Sequence, residues 1–83
     1  MAAFAGAAYA DGGASESLFD LGLKYCAGRG VAPDLVAAHK WFNIAALRGN
    51  AEARRYRTEL SREMSKREIA TAQRMAREWL AKH

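Results

Sequence analysis

The chain has 83 residues and a formal net charge of +4, which limits it to one small domain. No apolar run approaches the roughly 18–20 residues of a membrane span, and a single cysteine supplies neither an internal disulfide nor a metal cluster. Residues 1–50 carry four bases and four acids, so the whole net charge lies in residues 51–83.

The hydrophobic residues recur with a helical period near 3.6, and no period of two persists. Residues 1–14 are rich in alanine and glycine, and we predict a flexible or vestigial helical segment there. The first regular helix is expected to begin after Ser15, its N-cap, and to end at Gly28-Arg-Gly30, because glycine adopts positive φ at helix ends. Cys26 falls on a flank of this helix and is expected to be a buried, inert thiol.

Three further helices follow after short loops. The second is predicted to begin after Asp34, its N-cap, and Asn50 is expected to cap a third helix over about residues 51–63. The sequence Ser65-Lys-Arg-Glu68 is a capping box that opens a fourth helix over about residues 66–81. Helices joined by such short loops are expected to pack as antiparallel neighbours.

The chain contains an internal repeat. A shift of 38 residues aligns Ala38-His-Lys-Trp41 with Ala76-Arg-Glu-Trp79. We therefore predict one complete helix-turn-helix unit, residues 15–49, followed by a degenerate second unit, residues 50–83.

The complete unit carries L-G-x-x-Y, G-x-G-V and A-x-x-W motifs in that order. The residues are Leu21, Gly22, Tyr25, Gly28, Gly30, Val31, Asp34, Ala38, Trp41, Ala45, Ala46 and Gly49. This order resembles the Sel-one-like repeat (SLR) family, a relative of tetratricopeptide repeats. The resemblance implies an all-α fold, a short α-solenoid of antiparallel helical hairpins with about four main helices and a C-terminal capping helix. The second unit has Arg57-Thr58 in place of Leu-Gly and lacks the glycine turn, as a terminal repeat facing water does.

The motif residues have direct packing roles. Gly22 lacks a Cβ and lets the second helix approach the first closely, and Trp41 is expected to fill the space between these two helices. At least three repeats are normally needed for stability, so we expect the capping helices or self-association into a homo-oligomer to contribute.

The sequence offers no catalytic arrangement. His39 is expected on the polar flank of the second helix, at the surface or half-buried in a structural role, and His83 is the last residue. No Ser/His/acid set and no metal-ligand spacing appears, and the glycine turn follows a helix rather than the strand of a phosphate loop. We predict no catalytic residues, no metal site and no cofactor.

Residues 51–83 carry nine bases and five acids, which raises the question of a nucleic-acid surface. The glutamates are interleaved with the bases at helical spacing, so we predict ion pairs on a solvated helix face. The predicted pairs are Arg55–Glu59, Glu59–Arg62, Glu63–Arg67 and Arg74–Glu78. No aromatic side chains are expected among these bases to stack on unpaired nucleotides, so nucleic acid is the less favoured partner.

Helical spacing predicts a strip that receives a protein or peptide partner, since the first helix of each unit lines the inner wall of stacked hairpins. This interaction strip comprises Asp20, Lys24 and Ala27 on the first helix and Arg54 and Thr58 on the third, with Ser61 continuing it. The alternatives are an ordinary solvated face and a basic helical module that binds nucleic acid or an acidic partner.

The resemblance also bears on role and compartment. SLR proteins serve as non-catalytic adaptors for complex assembly in bacterial signalling, envelope and secretion processes, and the resemblance implies that role here. We expect a cytoplasmic protein because one cysteine fits a reducing compartment, with the periplasm as the alternative. The first ten residues lack the positive n-region of a secretory signal and are read as part of the mature chain.

Overall fold

The computed structural model describes residues 2–83, and the side chains of residues 15–83. It contains four helices, α1 (Ala2–Ala27), α2 (Leu35–Leu47), α3 (Ala51–Ser61) and α4 (Lys66–Lys82), and no strand among the described residues. The predicted all-α class is confirmed. The division of the chain at residues 14 and 49 stays a prediction, and the side chains of residues 1–14 lie outside the described part.

Helix α1 begins earlier than the sequence predicts. The predicted N-cap at Ser15 is wrong, because Ser15 lies inside α1 and is only 5% exposed. Alanine is the strongest helix former, and the alanine-rich residues before Ser15 continue the helix. The predicted end is confirmed: Gly28 has a φ of 73°, and its amide donates a hydrogen bond to the carbonyl of Lys24 at 2.8 Å.

Both ends of α2 follow from local chemistry. The Asp34 side chain accepts a hydrogen bond from the amide of Ala37 at 3.0 Å, as an N-cap does. After the last residue, Leu47, the chain leaves the helix through Gly49 at a φ of 100°. The next residue, Asn50, accepts from the amide of Ala53 at 2.9 Å and so caps α3 immediately.

Helix α3 ends at Ser61, two residues before the predicted end, because residues 62–64 form a turn. The capping box at the start of α4 is confirmed in both directions. The amide of Glu68 donates to Ser65 Oγ at 3.0 Å, and the amide of Ser65 donates to Glu68 Oε1 at 2.8 Å.

Helix α2 is the centre of the fold, since it packs against α1, α3 and α4. The buried core consists of Leu18, Ala38, Phe42, Ile44, Ala45, Ala46, Ala53, Leu60, Met64, Ala72 and Ala76. Many of these residues are alanines, so the helices meet at short distances with little side-chain volume between them. None of the described helices has both the length and the apolar character that a bilayer span requires.

The close approach of α2 to α1 at Gly22 is confirmed, but a different aromatic residue fills the contact. A Cβ at Gly22 would overlap the ring of Phe42, which is fully buried and lies 5.6 Å from the ring of Phe19. Trp41 instead packs edge-on against Trp79 of α4, with ring centroids 5.6 Å apart. Consecutive helical residues point about 100° apart, so the two aromatic residues face different neighbouring helices. The prediction for Trp41 was wrong for that reason.

Candidate functional site

The five residues of the interaction strip are exposed. Within the described residues, the hydrogen bond of the Thr58 hydroxyl to the carbonyl of Arg54, at 3.1 Å, is the one polar contact of their side chains. No hydrogen bond or ion pair in that part of the chain joins the α1 residues of the strip to its α3 residues. The strip therefore consists of two accessible segments, whose charges at Asp20, Lys24 and Arg54 have no ion-pair partner there.

Two aromatic residues link the helices that carry the two segments. Phe19 of α1 and Tyr56 of α3 meet edge to face, with ring centroids 5.2 Å apart, and Tyr56 lies 5.5 Å from the buried ring of Phe42. Tyr56 keeps 37% of its surface exposed. It gives the surface between the two segments an aromatic character.

Ser61 does not continue the strip, because it is half-buried and turned toward α2. Its Oγ lies 2.9 Å from Nε2 of His39 and donates a hydrogen bond to the carbonyl of Arg57 at 2.8 Å. Because the Ser61 hydroxyl donates its one hydrogen to the Arg57 carbonyl, it accepts from His39. The hydrogen of the neutral imidazole therefore lies on Nε2, which donates to Ser61. The expectation of a surface or half-buried histidine is wrong, because this contact with α3 holds His39 at 1% exposure.

The chemistry of His39 is structural. Its Nδ1 is buried and has no hydrogen-bond partner among the described residues. Burial, followed by the positive charge of Arg57, lowers the pKa of His39 below its usual 6.5, so the ring is neutral at neutral pH. In a nucleophilic pair the serine hydroxyl would donate to the imidazole, whereas Ser61 donates to a carbonyl. The pair joins α2 to α3.

Cys26 is exposed to solvent, contrary to the predicted burial. It lies in the last turn of α1, and the residue that follows it, Ala27, is also exposed. Helical spacing placed Cys26 near the apolar flank of α1, but its neighbour Tyr25 is the residue that packs against the core there. The described residues contain no group of three or more histidine, cysteine, aspartate or glutamate side chains that could hold a metal ion.

The ion pairs of residues 51–83, the basic half of the chain, follow the helix boundaries. Arg62 pairs with Glu59 and Arg74 pairs with Glu78, as predicted, at 3.9 and 3.7 Å. The predicted pair of Arg55 with Glu59 is wrong, because Arg55 pairs with Glu52 in the preceding turn instead. The predicted pair of Glu63 with Arg67 does not form, because the turn between α3 and α4 separates them. All three observed pairs are exposed, so each contributes about 0–1 kcal/mol.

The basic half is less internally neutralised than its sequence suggests. Among its nine bases, three are in these ion pairs, and Arg57 donates to the Asn43 side chain at 2.6 Å. Within the described residues the other five have neither an ion-pair nor a side-chain hydrogen-bond partner. They are Arg54, Lys66, Arg67, Arg77 and Lys82.

A second surface lies where α2 meets α4. The Trp79 ring stacks on His83, with centroids 4.3 Å apart and an interplanar angle of 17°, and Arg48 lies over the same ring at 5.7 Å. The ammonium of Lys40 lies 4.2 Å from the centroid of Trp41. A groove of about 320 Å³ runs along this contact, the α2–α4 groove, lined by Lys40, Met75, Glu78, Trp79, Lys82 and His83.

Sequence reasoning missed the α2–α4 groove. The bases of residues 51–83 were expected to have no aromatic neighbours, which is wrong because the guanidinium of Arg55 lies 5.9 Å from the ring centroid of Tyr56. At the groove, Lys40 and Arg48 of α2 lie over the rings of Trp41 and Trp79. The 38-residue repeat did align Trp41 with Trp79, and this alignment was the one sequence feature that linked the two residues, whose rings are in contact. Lys82 lies three residues after Trp79 and so falls on the same side of α4.

Comparisons of the chain with protein families, with curated proteins and with solved structures give no match.

Proposed function

We propose that this chain is a non-catalytic protein-interaction module of the SLR type, an adaptor that binds a protein or peptide along the interaction strip. The observation that carries the proposal is the exposure of all five strip residues on two helices that both pack against α2. Their charged members have no ion-pair partner among the described residues. A partner can therefore form ion pairs with these residues without first breaking an internal ion pair.

The local geometry of the repeat motif supports the same proposal. Gly28 and Gly30, the glycines of the turn motif, have φ values of 73° and 75°, which side chains with a Cβ rarely adopt. Gly22 admits the Phe42 ring, and Ala38 and Ala45 are fully buried. These residues serve packing and turn geometry, as they would in a solenoid of antiparallel helical hairpins, and they leave the exposed faces of α1 and α3 for recognition.

A charge-reversal variant tests this function. Lys24→Glu combined with Arg54→Glu changes both segments of the strip, and Lys66→Glu combined with Arg77→Glu makes the same charge change on exposed residues of α4. Partners captured from the native cell are compared by mass spectrometry for the natural chain and both variants. Loss of partners in the strip variant alone supports the proposal, and an unchanged partner set in that variant refutes the strip.

A second candidate function is a basic module that binds nucleic acid, and the five unpaired bases of α3 and α4 favour it. Affinity for nucleic acid falls steeply with salt because phosphate contacts release counterions. Binding along the strip uses two cations, Lys24 and Arg54, and releases no counterions from a nucleic acid, so its affinity should fall less steeply over the same range. A salt titration of the captured complex therefore separates the two functions.

Self-association is the third possibility, and Leu47, which is 63% exposed, is a large apolar side chain available for it. Sedimentation over a range of concentrations measures it. A monomer at every concentration would exclude this possibility.

We also propose that the adaptor acts in the cytoplasm, as a monomer or a small homo-oligomer.

A further inference from the structure

The α2–α4 groove concentrates positive charge beside the tryptophan pair. Lys40 and Lys82 line it, and Glu78, the acidic residue in its lining, is paired with Arg74 at 3.7 Å. The lining therefore sets the two positive charges of Lys40 and Lys82 against the one negative charge of Glu78. A carboxylate entering the groove is attracted more by the lysines than it is repelled by Glu78.

One of these lysines is already held in position. The Lys40 ammonium lies over the Trp41 ring, and a cation at this distance is attracted by the negative face of the ring. A long side chain that is ordered before binding loses less rotamer freedom when a ligand arrives. Met75 adds an apolar contact in the same lining, suited to the methylene groups of a side chain.

The tryptophan rings are engaged by groups of the protein itself. Trp79 carries His83 in a parallel stack and Arg48 over its ring, and Trp41 carries Lys40. A nucleotide base that stacks on Trp79 would have to displace one of these groups, whereas a carboxylate needs only to reach the lysines. The groove therefore suits acidic side chains better than bases.

We propose that the α2–α4 groove binds an acidic segment of a partner protein, with carboxylates of that segment paired to Lys40 and Lys82. This inference rests on the proposed function, since it adds a second contact and a chemical class of partner to the same module. It uses residues outside the interaction strip, so the two surfaces can be tested separately.

Tryptophan fluorescence reports directly on the groove, because the two tryptophans of the chain are Trp41 and Trp79. The probe is a capped peptide of eight glutamates, and a capped peptide of eight glutamines is the neutral control. An oligothymidylate with eight phosphates carries the same charge. We expect the glutamate peptide to change the fluorescence with saturation, the glutamine peptide to have no effect, and the oligothymidylate to bind more weakly.

Variants locate the binding. Lys40→Gln and Lys82→Gln should each weaken binding of the glutamate peptide by about two- to fivefold, and Glu78→Gln should strengthen it. Lys66→Gln is the matched control, since it removes the same charge from α4 at a position sixteen residues before Lys82, about 24 Å along the helix. Circular dichroism and thermal unfolding verify that each variant is folded.

Three results would overturn the inference: no saturable binding of the glutamate peptide, tighter binding of the oligothymidylate, or an equal loss in the Lys66 control. If the peptide fails to bind while the Lys24 and Arg54 variant still loses its partners, the groove is refuted and the proposed function stands. If the peptide binds and that variant keeps its partners, the strip is refuted instead.

Discussion

Replacement of Gly22 by alanine tests the contact between α1 and α2. The added Cβ would overlap Cδ1 and Cε1 of the Phe42 ring and lie 3.1 Å from its Cγ. The ring cannot move freely, because it is fully buried and lies within 5.6 Å of the Phe19 ring and 5.5 Å of the Tyr56 ring. Either the ring or the whole of α2 must shift.

Two opposing terms set the size of the effect. Adding a methyl group to a packed core costs about 1–3 kcal/mol, and the confined ring places Gly22→Ala in the upper half of that range. Alanine is favoured over glycine inside a helix by about 1 kcal/mol. The net expectation is a loss of about 1–2 kcal/mol in the free energy of unfolding. For a domain of this size, each kcal/mol lowers Tm by about 4–8 °C.

Denaturant and thermal unfolding measure this loss, and a second background isolates its cause. In a Phe42→Leu background the smaller side chain leaves room for the Cβ, so Gly22→Ala should there be neutral or stabilising by up to about 1 kcal/mol. A stabilising effect of Gly22→Ala in the natural chain would refute the close contact. The same loss in both backgrounds would show that Phe42 is not its cause.

Further substitutions test a turn, a cap and the buried histidine. Gly28 and Gly30 both have positive φ, but only a Cβ at Gly28 would meet the Pro33 ring, at 2.6 Å from its Cγ. Gly28→Ala should therefore lower the free energy of unfolding more than Gly30→Ala does, as measured by denaturant titration. Equal losses in the two variants would contradict the contact with Pro33. Asn50→Ala should lower the free energy of unfolding by about 1 kcal/mol and Asn50→Asp by much less, and equal losses would contradict the capping role. Burial lowers the pKa of His39, so the unfolded chain takes up that proton first as the pH falls. The contribution of His39 to the free energy of unfolding should therefore be constant above pH 6.5 and should decrease at lower pH by at most about 1.4 kcal/mol per pH unit. The His39→Gln variant should lose this pH dependence. An unchanged pH dependence in the variant would assign it to other groups.

The elements set by local chemistry were predictable from the sequence. Asp34, Asn50 and the pair Ser65–Glu68 cap helices because their side chains reach amides within three residues along the chain. The turn at Gly28 was predictable for the same reason, since the conformation of one residue requires glycine. The number of helices and most of their boundaries followed from these signals.

The residues that depend on contacts across the fold were not predictable. Helical spacing placed Trp41 and Phe42 on one apolar side, but it does not state which neighbouring helix each faces. The burial of His39 depends on Ser61, 22 residues away and on another helix. Cys26 was misjudged because a position at the edge of an apolar flank does not determine whether its side chain packs against another helix.

The candidate site was predictable in part. The strip follows from the spacing of exposed residues on α1 and α3, and each of its members is exposed. The α2–α4 groove was missed because Lys40 and Lys82 are 42 residues apart on two different helices, and the fold brings them into one lining with Trp79. Composition located the positive charge in residues 51–83, whereas the groove draws part of its charge from α2.

The most direct test of the account is to map the bound partner on the protein by amide chemical shifts. The ¹⁵N-labelled chain is titrated with the partner captured from the native cell, and shift changes are followed for every assigned residue. We predict changes concentrated on the exposed faces of α1 and α3 around Lys24 and Arg54, with a second set along the α2–α4 groove. Saturating binding that shifts neither the strip nor the groove would contradict the account.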